Sequence, residues 1–248
     1  MKHVVFFSIF VGLFQSIYGV SANIPNPVFS SHGPGSNRNI TVHNNANEIK
    51  PVQVVIKKRT YTLEGKEIQE NVEDFEVFPE QFLIKPGSNQ MVTLRYVGPH
   101  PVPHEIAYRV IAEELPVSLA RPDDKKVNDK KMKAQVSLVF TTVNSIYVVP
   151  NKAIRPDVVL LSATPLETEK NEKKLSLVIR NQGTEHFIFS GAYVRLRSLS
   201  SNTSIEFVIS EKEIKEINLL AQESRQIVID WPDLPFSPVE ASMKIFKK

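Results

Sequence analysis

The chain has 248 residues, 42% of them hydrophobic, and a formal net charge of +3 at pH 7. This length and composition fit one large or two ordinary domains with substantial cores. The charge excess is too small to indicate a nucleic-acid partner. The absence of cysteine excludes thiol nucleophiles and thiolate metal sites, and it means that the fold needs no disulfide.

Residues 1–22 have the features of a signal peptide. A short basic start at Lys2 and His3 precedes an apolar run over residues 4–14, which is too short to span a membrane. Residues 20–22, Val-Ser-Ala, have the small-residue character of a cleavage site. We therefore predict that the mature chain starts at Asn23, is exported and contains no membrane span.

Alternating apolar and polar residues predict an all-β first domain over residues 23–150. Its short strands are separated by turns rich in Gly, Pro and Asn, such as Lys85-Pro86-Gly87. A charged segment at residues 121–133 is predicted to be a hairpin loop. The strands predicted before that loop cover residues 25–31, 39–43, 52–58, 75–78, 82–84, 90–96 and 105–113.

The longest strand signal starts at residue 134 and ends before Pro150. Val136, Leu138 and Phe140 lie on one face of this segment, with polar and smaller residues between them. Such alternation of β-branched and aromatic residues has the period of a strand. Taken alone, the segment is most simply interpreted as the last core strand of a β-sandwich.

A proline-flanked linker at residues 150–156 separates the two predicted domains. After it, strand signals recur about every 8–12 residues, which predicts a second sandwich over residues 151–248. One helical turn is predicted within residues 211–220, because apolar residues there stand at helical spacing.

The sequence does not predict catalytic chemistry. His100 and His104 precede Glu105, but the prolines between and beside them exclude the helix that would bring both imidazoles to one metal ion. We predict no enzymatic activity, no metal and no cofactor. Glu105 and Arg109 share one face of their predicted strand, close to the expected domain junction.

Three segments in this order resemble the periplasmic chaperones of the bacterial chaperone–usher pilus pathway. Residues 78–96 hold a Pro-Gly turn between two strands, and residues 105–116 form a strand that ends in Glu-Leu-Pro. Residues 134–150 form the long alternating strand, which ends in Tyr-Val-Val-Pro. The combination is fairly specific and extends over essentially the whole mature chain.

The resemblance implies two immunoglobulin-like β-sandwich domains in an L or boomerang arrangement. It also implies that the last strand of domain one is lent to an incomplete pilus subunit, with Val136, Leu138 and Phe140 filling the groove left by a missing strand. The protein would then be a periplasmic chaperone of a Gram-negative bacterium. Its expected roles are fimbrium biogenesis and cell wall organisation by donor-strand complementation, and its expected partners are pilus subunits and an outer-membrane usher.

One feature departs from the family pattern. Well-known members anchor the carboxyl terminus of the subunit with an Arg on the first strand and a Lys near the end of the last strand of domain one. Here residues 25–31 contain no Arg, and Ser145 stands at the position of the Lys. Asn144 and Ser145 could bind the terminus instead, or the donated strand could suffice. Other cations are a third alternative, with Arg38, Arg109, Lys152 and Arg155 as candidates and Glu105 as a further residue of the cleft.

A different class of protein also fits the pattern. In a two-domain immunoglobulin-like surface or adhesion protein, the strand ending at Val149 would simply be part of the core. In the chaperone interpretation, by contrast, an apolar edge strand would favour self-association of the free protein.

Overall fold

The computed structural model describes residues 19–116, 139–152, 154–201, 203–210, 214 and 216–245. Val136 and Leu138 lie outside these residues, as does the charged segment at residues 121–133. The regular secondary structure of the described part is almost entirely β-strand. No helix in it is long and apolar enough to cross a membrane.

In its described residues, the first domain contains ten strands and one short 3₁₀ turn at Pro34–Ser36. The strands are β1 (Val20–Asn23), β2 (Val28–Ser30), β3 (Asn37–Asn44), β4 (Lys50–Tyr61), β5 (Glu67–Asn71), β6 (Phe75–Phe78), β7 (Gln81–Ile84), β8 (Asn89–Tyr96), β9 (Ile106–Glu114) and β10 (Thr141–Val149).

These strands form two sheets that pack face to face. One sheet has the order β1-β3-β8-β6, and the other has the order β2-β10-β9-β4-β5 with β7 paired to β4. Neighbouring strands are antiparallel except β2 and β10, which are parallel over Val28–Ser30. The amino-terminal segment therefore crosses from the first sheet to the second between β1 and β2. The predicted single strand at residues 25–31 is in fact this crossover followed by β2.

The core of the first domain follows the predicted alternation. On β9, Ile106, Tyr108, Val110 and Ala112 face the opposite sheet, as the sequence predicts. The fully or largely buried residues of this core are Val20, Phe29, Ile40, Val42, Val52, Val54, Ile56, Ile84, Val92, Leu94, Tyr96, Val102, Tyr108, Val110, Ala112, Ile146 and Val148.

The second domain is a smaller set of three sheets around its own core. Their strand orders are β11-β12-β17, β13-β16 and β15-β14-β18. The strands are β11 (Val158–Glu167), β12 (Lys173–Asn181), β13 (Phe187–Phe189), β14 (Ala192–Ser198), β15 (Ser204–Ile209), β16 (Ile217–Leu219), β17 (Ser224–Asp230) and β18 (Val239–Ile245).

The prediction of a helical turn at residues 211–220 is wrong for its carboxyl-terminal part. Ile217–Leu219 is a strand whose partner is Phe187–Phe189. Leu219 is fully buried and Ile214 nearly so, which explains why apolar residues recur there without a helix. Residues 211–213 and 215 lie outside the described part of the chain.

The two domains contact each other through backbone as well as side chains. The Gln226 amide donates to the Leu63 carbonyl at 2.7 Å, so the β4–β5 hairpin reaches the edge of β17. The Glu105 amide donates to the Thr184 carbonyl at 3.0 Å on the other side of the junction. These bonds bring the outer face of the β10-β9-β4 sheet against the second domain.

Candidate functional site at the domain junction

Strand β10 has two unlike faces. Ile146 and Val148 enter the core, whereas Ser145 and Tyr147 point to the domain junction. One edge of β10 pairs with β9 from Thr141 to Val148. Within the described residues, β2 pairs with the other edge only opposite Tyr147, Val148 and Val149. Residues 141–146 of β10 therefore present a backbone edge that no described strand pairs with.

Phe140 is the only one of the three predicted donor residues that the structure describes. Its carbonyl accepts a hydrogen bond from the Glu114 amide at 3.1 Å, so the ladder with β9 continues to this residue. Its side chain is half-buried against Gly19, where a Cβ would lie 2.5 Å from the ring. The donor roles of Val136, Leu138 and Phe140 stay predictions.

The Ser145 hydroxyl accepts hydrogen bonds from two guanidinium groups. Nη1 of Arg59 lies 3.0 Å away, and Nη1 of Arg109 lies 2.6 Å away. The position that lacks the expected Lys is thus flanked by two arginines from neighbouring strands. Arg109 was among the candidates from the sequence, and Arg59 was not.

Arg59 is 3% exposed and reaches Ser145 from β4, across β9. Ala107 lies opposite Tyr147 on β9, and its small side chain leaves room for the guanidinium to pass. Nη2 of Arg59 donates to the Tyr147 hydroxyl at 3.1 Å, and the guanidinium lies about 5.6 Å from the rings of Tyr147 and Tyr61. Such cation–π contacts help to hold a buried arginine.

Arg109 is paired with Glu67, whereas Arg59 has no carboxylate within ion-pair distance among the described residues. Nε of Arg109 donates to Glu67 Oε1 at 2.9 Å, and Nη2 bonds the other carboxylate oxygen. The hydrogen bonds from Arg109 lower the pKa of Glu67 to about 2. Arg59 makes no ion pair with a described carboxylate, but it interacts electrostatically with Glu223 of the second domain, whose pKa it lowers against the effect of burial.

The second domain closes one side of this cluster. Nδ2 of Asn218 donates to the Tyr147 hydroxyl at 3.0 Å, and Leu220 packs on Ala107 and Tyr147. Arg225 stacks over the Tyr61 ring at 4.2 Å. Burial lowers the pKa of Arg225 and raises that of Glu223, the carboxylate that accepts the Tyr61 amide. Both domains therefore contribute to the surroundings of Tyr147 and Arg59.

Glu105 joins the domains and does not pair with Arg109. Its buried carboxylate accepts hydrogen bonds from the amide and from Nδ1 of His186, at 3.2 and 2.7 Å. The His186 ring stacks on Tyr147 with a centroid distance of 4.4 Å. The predicted position of Glu105 at the junction is thus correct, and its contact is a histidine of the second domain.

The remaining candidates lie away from the arginine cluster. Asn144 points to the opposite face of β10, where its Nδ2 donates to the Ala22 carbonyl at 3.4 Å. Arg38 donates to the carbonyls of Val28 and Asn37. Lys152 and Arg155 are exposed on the linker. Of all the anchor candidates from the sequence, the structure brings only Ser145 and Arg109 together.

Arg59 was missed because the predicted strand ended at residue 58, whereas β4 continues to Tyr61. A signal was present in the sequence. Arg59 lies two residues after Lys57, so both side chains point to the same face of β4. Lys57 lies directly opposite Arg109 in the β4–β9 register. Extending the strand by one residue would have placed Arg59 on the face that carries Arg109.

Comparison with known families identifies the first domain. Residues 30–152 match the family model described as pili and flagellar-assembly chaperone, PapD N-terminal domain. The chain belongs to this family of pilus-assembly chaperones, as a divergent member, and the resemblance inferred from the sequence is confirmed. No curated protein sequence matches the chain.

Solved structures of the same fold cover both domains. The CsuC chaperone, in its pre-assembly complex with the tip adhesion subunit CsuE of archaic Csu pili from Acinetobacter baumannii, matches with a TM-score of 0.57 at 15% identity. That alignment covers 90% of this chain and 97% of the other. The class 5 fimbriae chaperone CfaA matches with a TM-score of 0.52 at 15% identity, covering 93% of each chain. The Escherichia coli chaperone DraB gives 0.51 at 14% identity, with 92% of this chain and 96% of that chain covered.

These matches confirm the predicted fold class, an all-β chain of two immunoglobulin-like sandwiches in the boomerang arrangement. The family and the similar structures are chaperones and not enzymes, which agrees with the prediction that the chain is not an enzyme.

Proposed function

We propose that this protein is exported to the periplasm of a Gram-negative bacterium. There it binds pilus subunits by lending them the start of β10 and the residues before β10. It then delivers the subunits to an outer-membrane usher. The observation that carries the proposal is the edge of β10 at residues 141–146, which no described strand pairs with and which has β9 on its other side. An open edge of this kind accepts a strand of a partner through backbone hydrogen bonds.

The apolar side chains of the lent strand supply the second part of the interaction. Val136, Leu138 and Phe140 share the parity of Ile146 and Val148, which are buried in the core of the first domain. A strand that continues this face beyond the domain would present Val136, Leu138 and Phe140 to the groove of a subunit. Each buried side chain would contribute about 1.5–3 kcal/mol, and each ladder hydrogen bond about 0.5–1.5 kcal/mol.

The carboxyl terminus of the subunit would bind beside Ser145. Arg59 forms no direct ion pair with a described carboxylate, and its guanidinium contacts the serine that stands at the position of the expected Lys. Charge-assisted bonds from a guanidinium to a carboxylate are among the strongest in proteins. We assign the anchor to Arg59 and Ser145, with Arg109 held in place by Glu67.

Co-expression with an exported subunit tests the lent strand. We expect Leu138→Glu and Phe140→Glu to abolish recovery of the subunit, because a charge cannot enter an apolar groove without a large cost. Leu161→Glu is the matched control, since Leu161 is 51% exposed on β11 of the second domain. Normal recovery with folded Leu138→Glu and Phe140→Glu chains would show that this face does not bind the subunit.

The alternative of a two-domain surface or adhesion protein makes a different prediction on location. Fractionation of cells should find the chaperone in the periplasm, and an adhesin outside the outer membrane. Release by osmotic shock, with retention of a cytoplasmic marker, is the expected result.

A further inference from the structure

Strand β1 is an integral part of the first sandwich. Val20, Ser21, Ala22 and Asn23 pair with β3 in register, with Val20 opposite Asn44. The ladder is extended by one more bond, since the Asn45 amide donates to the Gly19 carbonyl at 2.9 Å. The residues that the sequence interprets as the end of a signal peptide are therefore strand residues.

The side chains of β1 belong to the core. Val20 is 6% exposed and lies in the main apolar cluster, and Ala22 packs against that cluster. The backbone of β1 also contacts the other sheet. Thr142 Oγ1 donates to the Val20 carbonyl at 2.9 Å, and Asn144 Nδ2 donates to the Ala22 carbonyl. The strand thus links β3 of one sheet to β10 of the other.

Cleavage after Ala22 would remove three of the four residues of β1. The space of the Val20 side chain would become a cavity, and the edge of β3 would lose its partner. Thr142 and Asn144 would lose their acceptors. A cut at this position would produce a mature chain without an element that the fold contains.

The sequence offers a second cleavage site three residues earlier. Gly19 is a small residue, preceded by Tyr18 and Ile17, and it follows the apolar run at the interval of a few residues that is typical of signal peptides. Cleavage sites of this kind favour small residues at the first and third positions before the scissile bond. Gly19 and Ala22 both meet the first requirement, and the third position is a β-branched residue at both sites, Ile17 and Val20. Only cleavage after Gly19 leaves β1 intact.

We propose that a signal peptidase cuts the chain between Gly19 and Val20, so that the mature protein begins with β1. The step is hydrolysis: one water adds across the amide bond, which leaves a carboxylate on Gly19 and a new amino terminus on Val20. The inference rests on the export proposed above. Cleavage after Gly19 gives a leader that is three residues shorter than cleavage after Ala22.

The new amino terminus would lie beside Phe140. The Phe140 ring covers the Cα of Gly19 so closely that any larger residue at position 19 would collide with it. The cut removes this last leader residue from beneath the first described residue of the lent strand. Processing at Gly19 therefore frees the Phe140 ring and removes the bond from the Asn45 amide, while the pairing of Val20–Asn23 with β3 remains.

The first experiment uses the full chain with a carboxyl-terminal tag, expressed in a Gram-negative host. We expect the periplasmic protein to begin at Val20 by intact mass and amino-terminal sequencing. A periplasmic protein that begins at Asn23 would overturn the cleavage site and leave the proposed export standing. An uncut chain in the cytoplasm would overturn both.

A second measurement does not depend on export. Two chains that begin at Val20 and at Asn23 can be released from a cleavable amino-terminal fusion and compared by thermal unfolding. We expect the chain starting at Asn23 to melt lower by about 5 °C or more, because it lacks a core residue and a strand. Equal Tm values would mean that β1 is dispensable, and the basis of the proposal would be lost.

Discussion

The guanidinium of Arg59 reaches across strand β9 and lies 3.0 Å from the hydroxyl of Ser145 on β10. A guanidinium from a strand two places away thus contacts Ser145, which stands where the resemblance to the family leads one to expect a Lys. Between the two residues, β9 carries Ala107, whose small side chain leaves space for the guanidinium of Arg59.

Replacing Arg59 by Met should weaken subunit binding while keeping most of the packing. Loss of a charge-assisted bond to a carboxylate costs about 1.5–3 kcal/mol, which corresponds to roughly a 10- to 100-fold rise in Kd. Isothermal titration with an isolated subunit domain measures the change. Arg195→Met, on an exposed strand of the second domain, is the matched control and should bind normally. Unchanged affinity of a folded Arg59→Met chain would remove Arg59 from the anchor.

Introducing the family Lys at position 145 should destabilise this protein. Ser145→Lys would place a third cation beside Arg59 and Arg109, where Glu67 is the one described carboxylate that forms an ion pair with either arginine. We expect a loss of about 1–3 kcal/mol in the free energy of unfolding, measured in urea.

The double variant Ser145→Lys with Arg59→Gln tests the cause of that loss. If repulsion is responsible, the second substitution restores part of the stability, and the double-mutant cycle gives a coupling energy above about 0.5 kcal/mol. Additive losses would indicate that steric overlap is the cause instead.

The Glu67–Arg109 pair predicts a specific response to acid. The pKa of Glu67 is about 2 in the folded chain, against about 4.3 in the unfolded chain. Because the folded pKa is depressed, the stabilisation is fully present above pH 4.3 and is lost as the pH falls towards 2. Allowing for solvent screening, it amounts to about 1–2 kcal/mol.

The Glu67→Gln chain should therefore be less stable than the original chain at pH 7. The difference between their free energies of unfolding should vanish as the pH falls from 4.3 to 2. Urea unfolding at several pH values measures it. Glu76→Gln, which removes an exposed pair with Arg95, is the control and should change the curve little. A difference in the free energy of unfolding that stays constant from pH 4.3 to 2 would show that the pair does not titrate as described.

The contact of Glu105 with His186 should hold the two domains in a fixed relation. Glu105→Ala removes the buried acceptor of two hydrogen bonds from the second domain. We expect the domains to move more freely, with faster proteolysis at the linker and a larger radius of gyration by X-ray scattering. Glu113→Ala, one strand position from Glu114 and away from the junction, should leave both measurements unchanged.

Sequence periodicity identified most of the fold for a clear physical reason. Burial imposes alternation on strands such as β8 and β9, so their faces can be deduced from the sequence. Contacts between side chains on neighbouring strands cannot be deduced in the same way, because they depend on the register of strands that are distant in sequence. The contact of Arg59 with Ser145 joins residues 86 positions apart.

A short strand is hard to predict from sequence, because its pairing partner decides its conformation. Ile217–Leu219 is a strand because it pairs with Phe187–Phe189, a tertiary effect that overrides the helical spacing of its apolar residues. At the amino terminus, the small residues of 20–22 fit a cleavage site and a strand equally well. Only the buried side chain of Val20 separates the two interpretations.

Strand β4 has 12 residues, and its two ends have different neighbours. At one end, Lys50 forms an ion pair with Glu114, whose amide donates to the carbonyl of Phe140, one of the three proposed donor residues. At the other end, Tyr61 contacts Glu223 and Arg225 of the second domain. An extended strand of this length spans about 40 Å without interruption. On the proposed function, a force on a subunit bound at Phe140 would be transmitted along β4 to the domain junction.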